Sequence, residues 1–258
     1  MTREECLRLW KAEEREPFQG WDFSHLNGRW EAEELPWNYQ EELEPYLNYR
    51  TMLLDMGTGG GEFLLSLNPP KGRTYATEGY LPNVDLCRRR LPIHGIELRQ
   101  VFDDSDLPFD DEMFDLVINR QEAYDPDEVF RVLKPGGYFV TQQYGGRNNE
   151  WLARFLLPQL PVGLREDRDL RHARQELEER DFVILKAREA FSSLRFLDVG
   201  ALVYFAKVIE WEFPGFSVDK CAEQLWELQE QLERDGFIES REHRYLLAAQ
   251  KPEDGATS

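Results

Sequence analysis

Short apolar runs alternate with amphipathic stretches along most of this chain, at the spacing that pairs buried strands with covering helices. Strands are predicted at 51–55, 74–77, 97–102, 114–119 and 138–143. Between them the pattern predicts a helix beginning at Glu62, a second over 83–91 and a third over 126–133. The third is ended by the turn Lys134-Pro135-Gly136-Gly137. This rhythm needs crossover connections, and so a mostly parallel, doubly wound α/β sheet with helices on both faces.

After 143 the rhythm loosens. Residues 148–180 read as mostly helical, broken between Pro158 and Gly163, and 182–187 reads as a sixth strand. Residues 190–218 are crowded with aromatic and apolar side chains. A polar helix follows over 219–235, with Asp219 as its expected N-cap and Gly236 as its C-terminal cap. A last strand is expected over 243–250. The first 49 residues open with a charged helix over 1–16, pass through an irregular aromatic stretch and end in a helix over 39–49. The expected organisation is an N-terminal aromatic cap over 1–49 and a main domain over 50–250. An aromatic insertion at about 190–235 would act as a lid, and a frayed tail would follow at 251–258.

Composition narrows the partners. The 258 residues are 41% hydrophobic, enough for a large core, and 31 basic against 50 acidic residues give a formal charge of −19. Such a surface repels phosphate backbones and argues against nucleic acid. The three cysteines show no CxxC and no metal-ligand spacing, which suits reduced thiols in a cytoplasmic protein and no metal. The N-terminus is charged throughout and is not a signal peptide, and no apolar run approaches the ~18 residues of a membrane span.

The candidate chemistry lies in Leu53-Leu54-Asp55-Met56-Gly57-Thr58-Gly59-Gly60-Gly61-Glu62. An acid and a glycine-rich turn sit between a strand and a helix, where glycines let the backbone approach a ligand closely. A dinucleotide fingerprint would need glycine at 62, where Glu62 instead puts negative charge near a pyrophosphate. Glu78 ends the second strand, where a carboxylate can accept from a vicinal diol. Asp103 and Asp104 follow the third strand, in the run FDDSDLPF.

The D-x-G-x-G-x-G turn, Glu78, FDDSDLPF, FDLVIN and VFRVLKPGGYFV, in this order over about 50–145, resemble the class I S-adenosylmethionine-dependent methyltransferases, in their small-molecule branch. Phe102 stands where that family usually has glycine. The resemblance implies a seven-stranded sheet of order 3-2-1-4-5-7-6 with strand seven antiparallel. It implies S-adenosylmethionine as cofactor, with S-adenosylhomocysteine as product. Asp55, Gly57, Thr58, Gly59, Gly61, Glu78, Gly79, Asp103, Asp104, Asn119 and Arg120 would line its site. Asp103, or alternatively Asp104, would meet the adenine.

The expected reaction is in-line displacement onto a small-molecule acceptor, for which alignment is the protein's main task. RNA or protein acceptors are the alternative, and a non-catalytic cofactor-binding or scaffold role is a third reading. The segment after strand four lacks the N-P-P-Y or D-P-P-Y tetrapeptide of amino-methyltransferases. Glu122 is the candidate base, and Arg120 is a second candidate at the chemistry. Trp21, Trp30, Gln121 and Gln143 are candidates for acceptor contact. None of the four histidines sits in a motif that marks it as a base.

Overall fold

A computed structural model describes residues 1–18, 22–161, 165, 167–253 and 255. Its strands form an eight-stranded sheet. In chain order they are β1 (Trp30–Ala32), β2 (Leu53–Met56), β3 (Thr74–Glu78), β4 (Ile96–Gln100), β5 (Phe114–Arg120), β6 (Leu133–Tyr144), β7 (Val183–Phe196) and β8 (Ile238–Gln250). Their spatial order is β1-β7-β8-β6-β5-β2-β3-β4. Read from β4, this is the expected order 3-2-1-4-5-7-6 with one more strand at the far edge. β2, β3, β4, β5 and β6 run parallel, and β8 lies antiparallel to β6. The count is therefore eight rather than seven. The three residues of β1 pair antiparallel with the end of β7, from Trp30 opposite Phe196 to Ala32 opposite Leu194.

The chain divides into two compact units. One comprises residues 36–145, 167–189 and 244–258. It holds α2 (Tyr39–Leu43), α3 (Glu62–Ser66), α4 (Leu81–Arg90), α5 (Pro126–Val132), α7 (Leu170–Glu178) and the parallel strands. Its core joins Leu54 and Met56 of β2 to Phe114 and Val117 of β5, Phe139 of β6 and Leu247 of β8. These strands are apolar on both faces: every residue of β2 is buried, which is why they read as continuous apolar runs.

The other unit comprises residues 1–35, 146–166 and 190–243. It holds α1 (Arg3–Glu13), α6 (Glu150–Leu156), α8 (Val199–Val208) and α9 (Ala222–Asp235). Trp10, Phe196, Leu202, Phe205, Phe213 and Leu228 build its own core. α8 is buried at eight of its ten positions, so no amphipathic period marks it.

Several boundaries differ from the expectation: β6 already begins at Leu133, through the turn expected at 134–137, and β8 begins at Ile238 rather than 243. α2 stops at Leu43 because Pro45 has no N–H to carry the helical hydrogen-bond ladder on, although Glu44 keeps helical angles at φ −51° and ψ −41°. β7 runs on to Phe196, since Ser192, Leu194 and Phe196 alternate inward where β1 pairs with it. α9 begins after Cys221 rather than Asp219, while Gly236 closes it in the left-handed conformation as expected.

Candidate functional site

β2 delivers Asp55 to the C-terminal edge of the sheet, and the chain turns there through Gly57, Gly59 and Gly61 at φ of 66°, 62° and 81°. An L-residue is strained at each of these angles. Gly57 meets a second constraint. A β-carbon there would stand 2.3 Å from Cγ of Glu122, which crosses from the loop after β5. The turn is fixed to β3, with Thr58 N donating to Thr77 O at 2.9 Å and Gly57 N to Thr77 Oγ1 at 3.3 Å. α3, which follows, is five residues long, so the open loop amides matter more here than a helix dipole.

α4 braces the back of the turn. Arg90 Nη1 donates to Gly60 O at 2.7 Å and pairs with Glu62, and Cys87 Sγ donates to Gly59 O at 3.1 Å. Burial pushes the Cys87 thiol up to about 11, with Glu78 adding to the shift, so it stays protonated. Arg90, the last of three consecutive arginines on α4, thus holds the glycine loop.

The next strand ends supply acids. Glu78 is 5% exposed, and its Oε1 accepts from the Gly79 and Tyr80 amides at 2.9 and 2.8 Å. Its Oε2 has a 3.4 Å bond from Asn83, leaving acceptor capacity for a ligand hydroxyl. A β-carbon on Gly79 would lie 2.8 Å from Val101 O, so glycine lets the two loops touch. After β4, Asp103 faces solvent and spends Oδ1 on the Ser105 hydroxyl and amide at 2.7 and 3.0 Å, which hold its carboxyl below the usual range. Asp104 is the half-buried partner. Burial raises its carboxyl, and the charges of Asp103 and Asp125 add to that. Of the two acids, Asp103 is thus engaged by Ser105 and exposed, and Asp104 is the more buried.

Asn119, at the end of β5, is fully buried and organises the loop behind it. Its Oδ1 accepts from Thr141 Oγ1 at 3.0 Å and Gln143 Nε2 at 2.5 Å, and its Nδ2 donates to Ala123 O at 3.3 Å. Gln143 also donates to Glu122 O at 2.8 Å. Arg120 lays its guanidinium over the Phe63 ring at 4.2 Å, and the Tyr39 ring packs tilted against the same ring with centroids 5.5 Å apart.

The charges converge. Burial raises the Asp55 carboxyl to about 7; Thr58 and Arg120 pull it back down, and the charge of Glu78 adds to the rise. Glu122 is exposed as a residue, yet lost hydration at its carboxyl raises it, and Asp104 and Glu78 raise it further. Glu78 therefore acts on both Asp55 and Glu122, and Asp104 on Glu122.

The sequence reading missed Trp37 and Tyr39. Trp37 Nε1 donates to Gln142 Oε1 at 2.8 Å. The Tyr39 hydroxyl lies 3.0 Å from Asn119 O and 2.9 Å from Val140 O, and burial raises its pKa. The available signal was two aromatics flanking Asn38, whose side chain caps α2 by accepting from Gln40 N. Trp30 packs on Phe23 and Phe205 in the aromatic core of its own unit, and Trp21 lies outside the described residues. Gln121 stands at φ 64° and its amide donates to Gln142 O at 2.8 Å. Among the described residues, no group of three or more His, Cys, Asp or Glu could hold a metal ion, and no helix is long and apolar enough to cross a membrane.

Residues 54–141 match the model of a family described as a methyltransferase domain. A fatty-acid O-methyltransferase of Mycolicibacterium smegmatis is 36% identical over 104 residues, covering 35% of this chain and 35% of its own length. A phthiotriol/phenolphthiotriol dimycocerosates methyltransferase of Mycobacterium tuberculosis is 33% identical over 90 residues, 32% of this chain and 33% of its own. The chain thus spans about a third of the length of these curated relatives. Among solved structures, a functionally unknown protein from Deinococcus radiodurans covers 96% of this chain and 98% of its own, with TM-score 0.59 and 13% identity. The cyclase SpnF covers 83% and 80%, with TM-score 0.51 and 18% identity. At these identities the likeness is one of fold alone.

Proposed function

We propose that this chain, whose residues 54–141 match a methyltransferase-domain family, is a class I S-adenosylmethionine-dependent methyltransferase that moves a methyl group from S-adenosylmethionine to a small-molecule acceptor. The observation that carries the reading is the ring of acids, Asp55, Glu78, Asp104 and Glu122, around one glycine cradle. That charge repels a pyrophosphate and suits a ligand whose charged centres include a sulfonium and an ammonium. Gly57, Thr58, Gly59 and Gly61 would hold its amino-acid end, Glu78 the ribose hydroxyls and Asp104 the adenine amino group. Gly79 lets the β3 and β4 loops close together, Asp103 braces the second of them through Ser105, and Asn119 fixes the wall formed after β5.

The cofactor supplies an electrophilic methyl on sulfur, with a neutral thioether as leaving group. The chain's own work is alignment and exclusion of water. Where the acceptor is a hydroxyl, Glu122 is the group proposed to take its proton; burial, Asp104 and Glu78 raise that carboxyl above its usual value. Arg120 is placed to orient an anionic or polar end of the acceptor, with Gln121 beside it. The relatives named for a fatty acid and for phthiotriol dimycocerosates support an apolar, lipid-like acceptor over RNA or protein. The acidic cradle supports the same choice.

The test has two stages. Calorimetry with S-adenosylhomocysteine should give saturable binding to one site. Methyl-labelled S-adenosylmethionine, incubated with protein and a cell extract, should then place label in the organic phase. Absence of heat with either cofactor form would sink the proposal. Binding without any transfer would leave a cofactor-binding protein of the same fold.

A further inference from the structure

Arg120 is the last residue of β5, and the parallel register sets its neighbour Asn119 beside Met56, where β2 enters the glycine turn. Alternation along the strand turns the two side chains to opposite faces. Asn119 is spent on Thr141, Gln143 and Ala123. Arg120 instead reaches the start of α3 and lays its guanidinium over the ring of Phe63, two residues after Gly61. Burial raises both the Asp55 carboxyl and the Tyr39 hydroxyl, and the charge of Arg120 pulls each back, so the cation stands within reach of the cradle. The ring takes one face of the guanidinium and leaves its in-plane N–H donors free. Among the described residues Arg120 makes no ion pair and no side-chain hydrogen bond. Arg90, on the α4 side of the turn, is already paired with Glu62 and with Gly60 O.

We propose that Arg120 receives the carboxylate at the amino-acid end of the cofactor, as a forked guanidinium–carboxylate pair beside the glycine turn. This rests on the methyltransferase reading above, in which Gly57, Thr58, Gly59 and Gly61 hold that end. The amino-acid end is a zwitterion. Acids around the cradle suit its ammonium but repel its carboxylate, which needs a compensating cation. Arg120 is an uncommitted cation within charge reach of Asp55. Its planar fork matches a carboxylate, and the stack on Phe63 holds it in place before the ligand arrives, so less freedom is lost on binding. The pair selects ligands that keep the carboxylate. Charge on sulfur plays no part in it: S-adenosylmethionine and S-adenosylhomocysteine carry the same carboxylate and depend on Arg120 alike.

Calorimetry tests this without an acceptor, with S-adenosylmethionine, S-adenosylhomocysteine and decarboxylated S-adenosylmethionine as the three probes. The wild type should bind S-adenosylmethionine about tenfold more tightly than its decarboxylated form. Arg120→Gln removes the charge and the fork. It should weaken S-adenosylmethionine and S-adenosylhomocysteine equally, by about tenfold, the equivalent of ~1.4 kcal/mol. It should leave the decarboxylated form at least as tightly bound as before, since that ligand's remaining ammonium no longer meets a cation. The retained affinity doubles as the check that the variant is folded. Parallel weakening of all three ligands assigns Arg120 a structural role and overturns the inference. Unchanged binding of S-adenosylmethionine in Arg120→Gln overturns it too, and leaves Arg120 to the acceptor. If the wild-type protein binds none of the three, the methyltransferase reading fails and takes this inference with it. If it binds them and the variant leaves their ratio unmoved, only this inference fails.

Discussion

Asp55 is 4% exposed, and burial lifts its carboxyl to about 7 at the end of the central strand. An unfolded chain ionises this group near ~3.9. The folded state therefore holds the proton more tightly, and the contribution to stability is full below that pH. It is lost as pH rises towards about 7, at no more than ~1.4 kcal/mol per unit. Asp55→Asn removes the titration. Urea unfolding at pH 5 and pH 8 should show the wild type losing more stability across that interval than the variant does. Parallel losses would show that Asp55 is hydrated in the native state. The site thus spends stability at neutral pH to keep a carboxylate beside the glycine cradle, the usual relation between function and local strain.

α2 is the element whose role depends most on its surroundings. Five residues cannot hold a helix in water alone. Leu43 and Tyr39 are buried, Trp37 reaches Gln142, and Glu42 pairs with Lys186 and, at 3.0 Å, with Arg188 on β7. Tyr39 is the centre of this attachment, because its hydroxyl sits between Asn119 O near the end of β5 and Val140 O within β6. Tyr39→Phe removes the donor and leaves buried acceptors unsatisfied, at an expected cost of about 1–3 kcal/mol. Chemical denaturation should register that loss. A neutral substitution would mean that water takes the hydroxyl's place. In the glycine turn the dependence on neighbours is the same in kind: α4 supplies Arg90 and Cys87 to carbonyls that the turn leaves unpaired.

At the scale of the molecule, charge decides what can approach. A formal charge of −19 is spread over a chain whose candidate site is itself ringed by acids. Long-range repulsion should keep polyanions away at low salt, where screening is weakest. A gel-shift titration with duplex and single-stranded RNA at about 50 mM salt, where the Debye length is on the order of 14 Å, should show no retained species at micromolar protein. Salt-sensitive retention would reveal a basic groove and reopen the RNA alternative. The neutral or weakly charged lipid-like acceptor proposed here meets no such barrier.

The sequence by itself determined the sheet from β2 to β6, the glycine turn and the order of the acids. Those follow from local causes. Fully buried parallel strands must be apolar along their length, a chain reversal at positive φ selects glycine, and each strand-end acid comes immediately after its strand. The family resemblance added the antiparallel closing strand and the ligand. Tertiary structure alone decided what rests on long-range pairing. β1 is three residues with no period of its own and exists only because β7 offers an edge. That Ser105 engages Asp103 and leaves Asp104 without such a bond is likewise a fact of the folded loop. Tyr39 and Gln143 act on groups 80 and 21 residues away, a separation that no local pattern encodes. The opening stretch 53–62 fixed that there would be a cradle. Only the folded chain laid Glu122 across it, because steric room at Gly57 becomes meaningful when a distant loop arrives to use it.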